Sequence, residues 1–104
     1  MPEYVLTRSA ESDLIEIARY TRREWGERQR DTYIRELFSL FASIAAAPHL
    51  SQNRDRIRPD LKSRHHKKTH IVYFRVEGDT VQILRVLHVR QDVNAAFYEE
   101  IDDL

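Results

Sequence analysis

The residues best suited to chemistry gather in the second half of the chain. Four histidines, His65, His66, His70 and His88, are accompanied there by Arg85 and Arg90. Imidazoles and guanidiniums on adjoining strands are what a phosphodiester transesterification requires: a general base, a general acid and cations for the developing oxyanion. His88, Arg85 and Arg90 are therefore the set on which a ribonuclease reaction would rest. A metal centre is a poorer use of the same histidines. Their spacing matches no common zinc pattern, no carboxylate stands nearby at ligand spacing, and Lys67 and Lys68 repel a cation. No metal and no cofactor is expected. His65 and His66 read as surface imidazoles, and His70 and His88 as hydrogen-bonded residues at a sheet margin.

Whether those side chains act together depends on the hairpin that carries them. Strand-type residues 71–76 and 81–89 flank Gly78 and Asp79, where glycine adopts a positive φ without a Cβ clash. A two-residue loop there sets Val76 opposite Val81, Phe74 opposite Ile83, Val72 opposite Arg85 and His70 opposite Leu87 on one face. Tyr73/Leu84, Ile71/Val86 and Arg75/Gln82 share the other, and Thr69 meets His88. In this register His70 and His88 lie on opposite faces and cannot serve one phosphate. Arg85, beside Phe74 and Ile83, becomes a structural residue awaiting a carboxylate or a carbonyl. Both faces of the hairpin are largely apolar, so the sheet needs two covers, one of them open to another molecule.

The rest of the chain supplies the first cover. Glu3–Leu6 reads as a short strand, and Thr7 or Ser9 offers an N-cap for a helix whose stripe is Ala10, Leu14, Ile17, Ala18, Thr21 and Trp25, stopped by Gly26. A second stripe, Tyr33, Ile34, Leu37, Phe38, Phe41, Ile44 and Ala45, runs to Pro48. The short turn between them makes an antiparallel αα-hairpin. Residues 49–60 read as a loop, 61–68 as a basic edge strand, and the segment after Arg90 as a loop and an acidic helix with Ala95, Ala96, Phe97, Ile101 and Leu104 available for packing. The expected fold is α+β over a single domain, residues 1–104: an N-terminal strand, a two-helix hairpin on one face of a mainly antiparallel sheet, and a short C-terminal helix.

Composition narrows the function. There is no cysteine, hence no thiolate chemistry, and no membrane-length apolar run, so a cytoplasmic protein is expected. Phosphate-loop, dinucleotide-binding and serine-hydrolase motifs are absent. The zero formal net charge hides segregation: bases crowd residues 54–75, acids crowd the tail after Val93, and the basic run suits an acidic or polyanionic partner.

The segments YVLTRSAESDLIEIARY, REWGE, IRPDLKS, HIVYF and RVLHVRQD together resemble the ParE branch of the RelE/ParE superfamily of bacterial type II toxins. Trp25, Gly26, Arg58, Pro59, His70, Tyr73, Arg85, His88, Arg90 and Asp92 carry the likeness. It implies a toxin that inhibits DNA gyrase, and thereby replication, without catalysis of its own. It also implies a hetero-oligomer with a ParD-like antitoxin, whose ribbon-helix-helix part alone touches operator DNA. The alternative is the RelE branch, ribosome-dependent mRNA endonucleases, for which Arg85, His88 and Arg90 would act. This chain has Ile71 where such ribonucleases often carry arginine, and no tyrosine directly follows His88. Arg58, Lys62, Arg64, Tyr73 and Arg75 are the expected antitoxin contacts.

Overall fold

One hydroxyl joins the first helix to the sheet. Thr7 Oγ1 accepts the amide of Ala10 (3.1 Å), capping helix α1 (Arg8–Trp25), and donates to the carbonyl of Leu84 (2.8 Å). Gly26, at φ 92°, ends α1 and opens α2 (Glu27–Ala46). A Cβ there would meet nothing within 4 Å, so the backbone conformation and not crowding calls for glycine. The computed structural model describes residues 3–99, and among these no helix is long and apolar enough to cross a membrane. The expected packing positions Ile101 and Leu104 lie outside the described residues.

Strand β1 (Glu3–Leu6) precedes the helices. After them come β2 (Gln52–Asn53), β3 (Lys62–His66), β4 (His70–Glu77), β5 (Thr80–His88) and helix α3 (Val93–Glu99). The five strands form one mixed sheet in the order β1-β5-β4-β3-β2, with β1 parallel to β5 and the other pairs antiparallel. The α+β architecture is the expected one. The first strand closes against the last, so the αα-hairpin between them lies across one face. Its stripe (Ala10, Leu14, Leu37, Phe41, Ile44) meets Val72, Phe74, Val81, Ile83 and Val86 in the main core. Phe41 and Phe74 are fully buried, and each contributes on the order of 1.5–3 kcal/mol by leaving water.

The hairpin register corrects the expected one. Near the turn the pairs Val76/Val81, Arg75/Gln82 and Phe74/Ile83 are as anticipated, but a β-bulge then leaves Leu84 as an extra residue on β5, so that Tyr73 faces Arg85. Beyond it Val72 meets Val86, Ile71 meets Leu87 and His70 meets His88, each one residue from the expected partner. The bulge sits where β1 ends: Leu6 pairs with Ile83, and Thr7 then binds the carbonyls of Ile83 and Leu84 as the chain turns into α1. Strict alternation along β5 is broken there, and Arg85 moves away from the face of Phe74 and Ile83.

Two further expectations change. The second face is closed by the chain itself, because Leu61, Tyr73, Leu84, Leu87 and Phe97 form a second buried cluster with Ile57, Ile71, Val93 and Ala96 against it. The basic strand β3 is also not the outermost strand. Gln52 and Asn53 pair with Ser63 and Lys62, within the stretch expected to be loop.

Candidate functional site

The side chains with chemistry on offer meet in a cleft of about 770 Å³ between the helical hairpin and the ends of β4 and β5. Ile17, Tyr20, Thr21, Trp25, Gln29 and Tyr33 line its helical side, Thr69, His70, Val86, His88 and Gln91 its sheet side, and Asp13 and Glu16 also border it. Trp25, expected in the α1 stripe, is 71% exposed, and Tyr20 is 55% exposed. Trp25 stands at the last position of α1, beyond the reach of the sheet, so it faces the cleft and solvent instead of the core.

Three histidines cross the floor of this region. His66 pairs with His70 and His70 with His88, so one face of three adjacent strands carries a row of imidazoles. The rings of His70 and His88 are 5.6 Å apart and nearly perpendicular. This corrects the expected separation of the two: the bulge restores them to a common face.

Each imidazole has a fixed partner. The Tyr33 hydroxyl lies 2.6 Å from His70 Nδ1. Burial pushes the His70 pKa down to about 4, with the neighbouring His88 and His66 adding to the effect. Burial also pushes the Tyr33 phenol up; the charge of Glu36 adds, while a bond with the Thr69 side chain opposes. The pair is therefore neutral near pH 7, joined by one hydrogen bond whose donor is set by the His70 tautomer. His88 Nδ1 accepts the amide of Arg90 (3.1 Å), and the His88 amide donates to Gln91 Oε1 (2.7 Å). His66, expected at the surface, is half-buried, with Nε2 3.1 Å from Glu36 Oε1. Lys67 Nζ reaches the same oxygen at 3.1 Å and is the main reason the Glu36 carboxyl sits below its ordinary range, the His66 bond adding to it. Among the described residues no group of three or more potential ligands is placed to hold a metal ion.

His70 predicts a pH dependence of folding. Its folded pKa is lower than its unfolded value of 6.5, so the unfolded chain binds more protons between these limits. Stability is full above pH 6.5 and falls as pH drops toward about 4, by roughly 3 kcal/mol in all. Denaturant midpoints measured across this window should show the decline in the native chain and a flatter profile in His70→Gln.

Arg85 is a structural residue, as its apolar surroundings suggested, though on the other face. Its Nε and Nη2 grip the Asp13 carboxylate at 2.8 and 2.9 Å, and Nη1 approaches the carbonyl of Ala96 at 3.5 Å. Asp13 also accepts the amide of Val86 at 2.8 Å. One carboxylate thus clasps α1 to β5 where β1 no longer covers that strand, and the guanidinium extends the clasp to α3. The reaction set expected for a ribonuclease is thereby divided: His88 lines the cleft, Arg85 is neutralised by Asp13, and Arg90 is exposed beyond β5. Among the described residues no lysine or arginine lines the cleft, and its two acids, Asp13 and Glu16, are already paired with Arg85 and Arg19, so the cleft offers a developing oxyanion no cation of its own.

The expected antitoxin contacts do not form one surface. Lys62 and Arg64 pair with Phe74 and Val72 on the helical face of the sheet, and Arg58 lies in the preceding loop. Tyr73 is buried with its ring 5.5 Å from that of Phe97, and Arg75 is bonded to Gln82 at 2.6 Å. Strand alternation puts Tyr73 and Arg75 on the face opposite Lys62 and Arg64. Among the other motif positions, Gly26 joins the helices, Pro59 lies in the β2–β3 loop, and Asp92 Oδ1 accepts the amides of Asn94 and Ala95 at the start of α3. The sequence reading missed the roles of Asp13, Tyr20 and Tyr33. Only Asp13 left a signal: an acid adjoining the apolar stripe, one helical turn before Ile17.

Similarity to known proteins follows this geometry over most of its length. Residues 4–93 match the family described as ParE toxin of type II toxin-antitoxin system, parDE. The chain is 38% identical to Toxin ParE1 of Caulobacter vibrioides over 95 residues, 91% of this chain and 95% of that protein. It is 36% identical to Toxin ParE1 of Mycobacterium tuberculosis over 92 residues, 88% and 93% of the two. Toxin ParE of Escherichia coli is 33% identical over 93 residues, 89% and 90%. A solved structure, "Chromosomal ParDE TA system from P. aeruginosa", shares the fold with a TM-score of 0.73 at 21% identity, covering 86% of this chain and 97% of that one. The strand, helical hairpin and sheet that build the cleft all fall within the matched residues, and the chain belongs to the ParE toxin family of type II toxin-antitoxin systems.

Proposed function

We propose that this toxin inhibits DNA gyrase by binding it, without catalysis of its own, and that a ParD-like antitoxin neutralises it in the cytoplasm by seating an apolar segment in the cleft. The carrying observation is the cleft itself: exposed Trp25 and Tyr20 stand beside two histidines, with no lysine or arginine among the described lining residues. Large aromatic groups bordering a recess are the usual anchors of protein recognition, whereas phosphoryl transfer needs positive charge at the reacting oxygen. Arg58, Lys62 and Arg64 lie outside the cleft lining, where their charge would steer an acidic antitoxin segment toward the toxin more than it adds affinity.

Purified toxin incubated with gyrase and relaxed plasmid should reduce supercoiling or accumulate cleaved DNA, and the antitoxin should reverse it. Unaltered supercoiling at excess toxin would sink the gyrase reading. The closeness of His70 and His88 favours a second reading, an mRNA endonuclease with the two imidazoles as base and acid. It predicts that His88→Ala abolishes growth arrest with the fold intact; the gyrase reading predicts that arrest persists.

A further inference from the structure

We propose that the face of β3 carrying Lys62 and Arg64, with the loop before it, binds the phosphate backbone of duplex nucleic acid directly, without reading bases. The sequence places its densest run of cations here, and the structure determines which of them are spent. Arg54 is used internally, with Nε on Ser63 Oγ and Nη2 on Gln52 Oε1, both at 2.8 Å. Lys67 is paired with Glu36. Among the described residues, Arg56, Arg58, Lys62, Arg64 and Lys68 have no ion pair. The two acids of the run form no ion pair with them: the Asp55 carboxylate accepts the amide of Asp60 at 2.9 Å and feels the charge of Lys62 only from a distance, and both acids sit within the exposed loop.

The arginines of the helical hairpin make the contrast. Arg19, Arg22, Arg23 and Arg30 line a shallow pocket of their own, yet each has a carboxylate partner, Glu16, Glu27, Glu24 and Asp31 respectively. What distinguishes the β3 surface among the described residues is that its cations without an ion pair fall within one short stretch, whereas those of the hairpin, Arg8, Arg28 and Arg35, are spread over both helices.

Its shape fits a backbone better than a peptide. Lys62 and Arg64 project from the same face of one strand, about 6.7 Å apart along it, close to the rise of two phosphates on one nucleic-acid strand. The Arg54 amide bonds to the Leu61 carbonyl at 2.8 Å, closing the loop so that Arg56 and Arg58 flank the same end of β3. None of the exposed large apolar side chains falls between residues 54 and 68. A protein partner without an apolar anchor there gains little affinity, because rim charges chiefly steer. Nucleic-acid binding needs no such anchor, since released counterions supply the driving force.

The test is fluorescence anisotropy of a labelled duplex of arbitrary sequence, titrated with the full chain at several salt concentrations. Four to five phosphate contacts give a slope of about −4 for log affinity against log salt, or roughly a 200-fold loss between about 50 and 200 mM. Lys62→Glu/Arg64→Glu should weaken binding at least about tenfold and lower the slope by about 2, while Arg22→Ala/Arg23→Ala leaves both unchanged. Arg56→Ala/Lys68→Ala, both at exposed positions, provides the same reading if the strand variant does not fold. The inference is overturned if the duplex fails to bind at low salt, if the slope ignores these substitutions, or if polyglutamate binds as well as the duplex. None of these outcomes depends on gyrase.

Discussion

Asp13→Ala is expected to destabilise the fold by about 3–5 kcal/mol, the range seen when one member of a buried ion pair is removed. The side chains of Asp13 and Arg85 are only 12% and 13% exposed, so the guanidinium left behind cannot regain full hydration. The Val86 amide loses its acceptor as well. Against a total stability of about 5–15 kcal/mol for an ordinary domain, this brings the chain near its unfolding threshold. The clasp also predicts non-additivity. Asp13→Ala/Arg85→Met should be less destabilised than the sum of the single changes by at least about 1 kcal/mol, because the double variant buries no unpaired charge. Urea denaturation of the four proteins measures this directly, and additive losses would mean that the pair does not act as a unit.

Trp25→Ala carries the second large effect, on binding and not on folding. The indole is largely exposed, so its removal should change stability by less than about 0.5 kcal/mol. If the antitoxin seats in the cleft, the same truncation should weaken the complex by about 2–4 kcal/mol, roughly 30- to 1,000-fold. Ile15, 57% exposed on the same helix but outside the cleft lining, is the control, and Ile15→Ala should leave affinity unchanged. Calorimetric titration of the cognate antitoxin into each variant separates the two. Equal affinity for both would move the antitoxin's seat elsewhere.

Both predictions concern residues whose roles the chain order does not announce. Asp13 and Arg85 stand 72 positions apart, and nothing local in α1 requires that its acid face the final strand. Trp25 continues the apolar spacing of α1, and only the position of the sheet relative to the helix end decides that it faces a cleft. Tyr33 reads as one more aromatic in a buried stripe, and it is buried, but its hydroxyl also fixes His70.

The sequence by itself determined the elements and their order, the two-residue β2 excepted. Thr7 caps, Gly26 turns, the helical stripes repeat at their period, and the alternating strands meet at Gly78, each a signal carried within a few neighbouring residues. It also determined the family, since the motifs run in order through the chain. Tertiary structure decided the site. A single bulge at Leu84, placed where β1 gives way to α1, shifts the remainder of β5 by one residue. Because strand side chains alternate with a period of two, that one residue exchanges the faces. It brings His88 beside His70, takes Arg85 from the face of Phe74 into the clasp with Asp13, and directs Leu87 into the cluster that covers the second face.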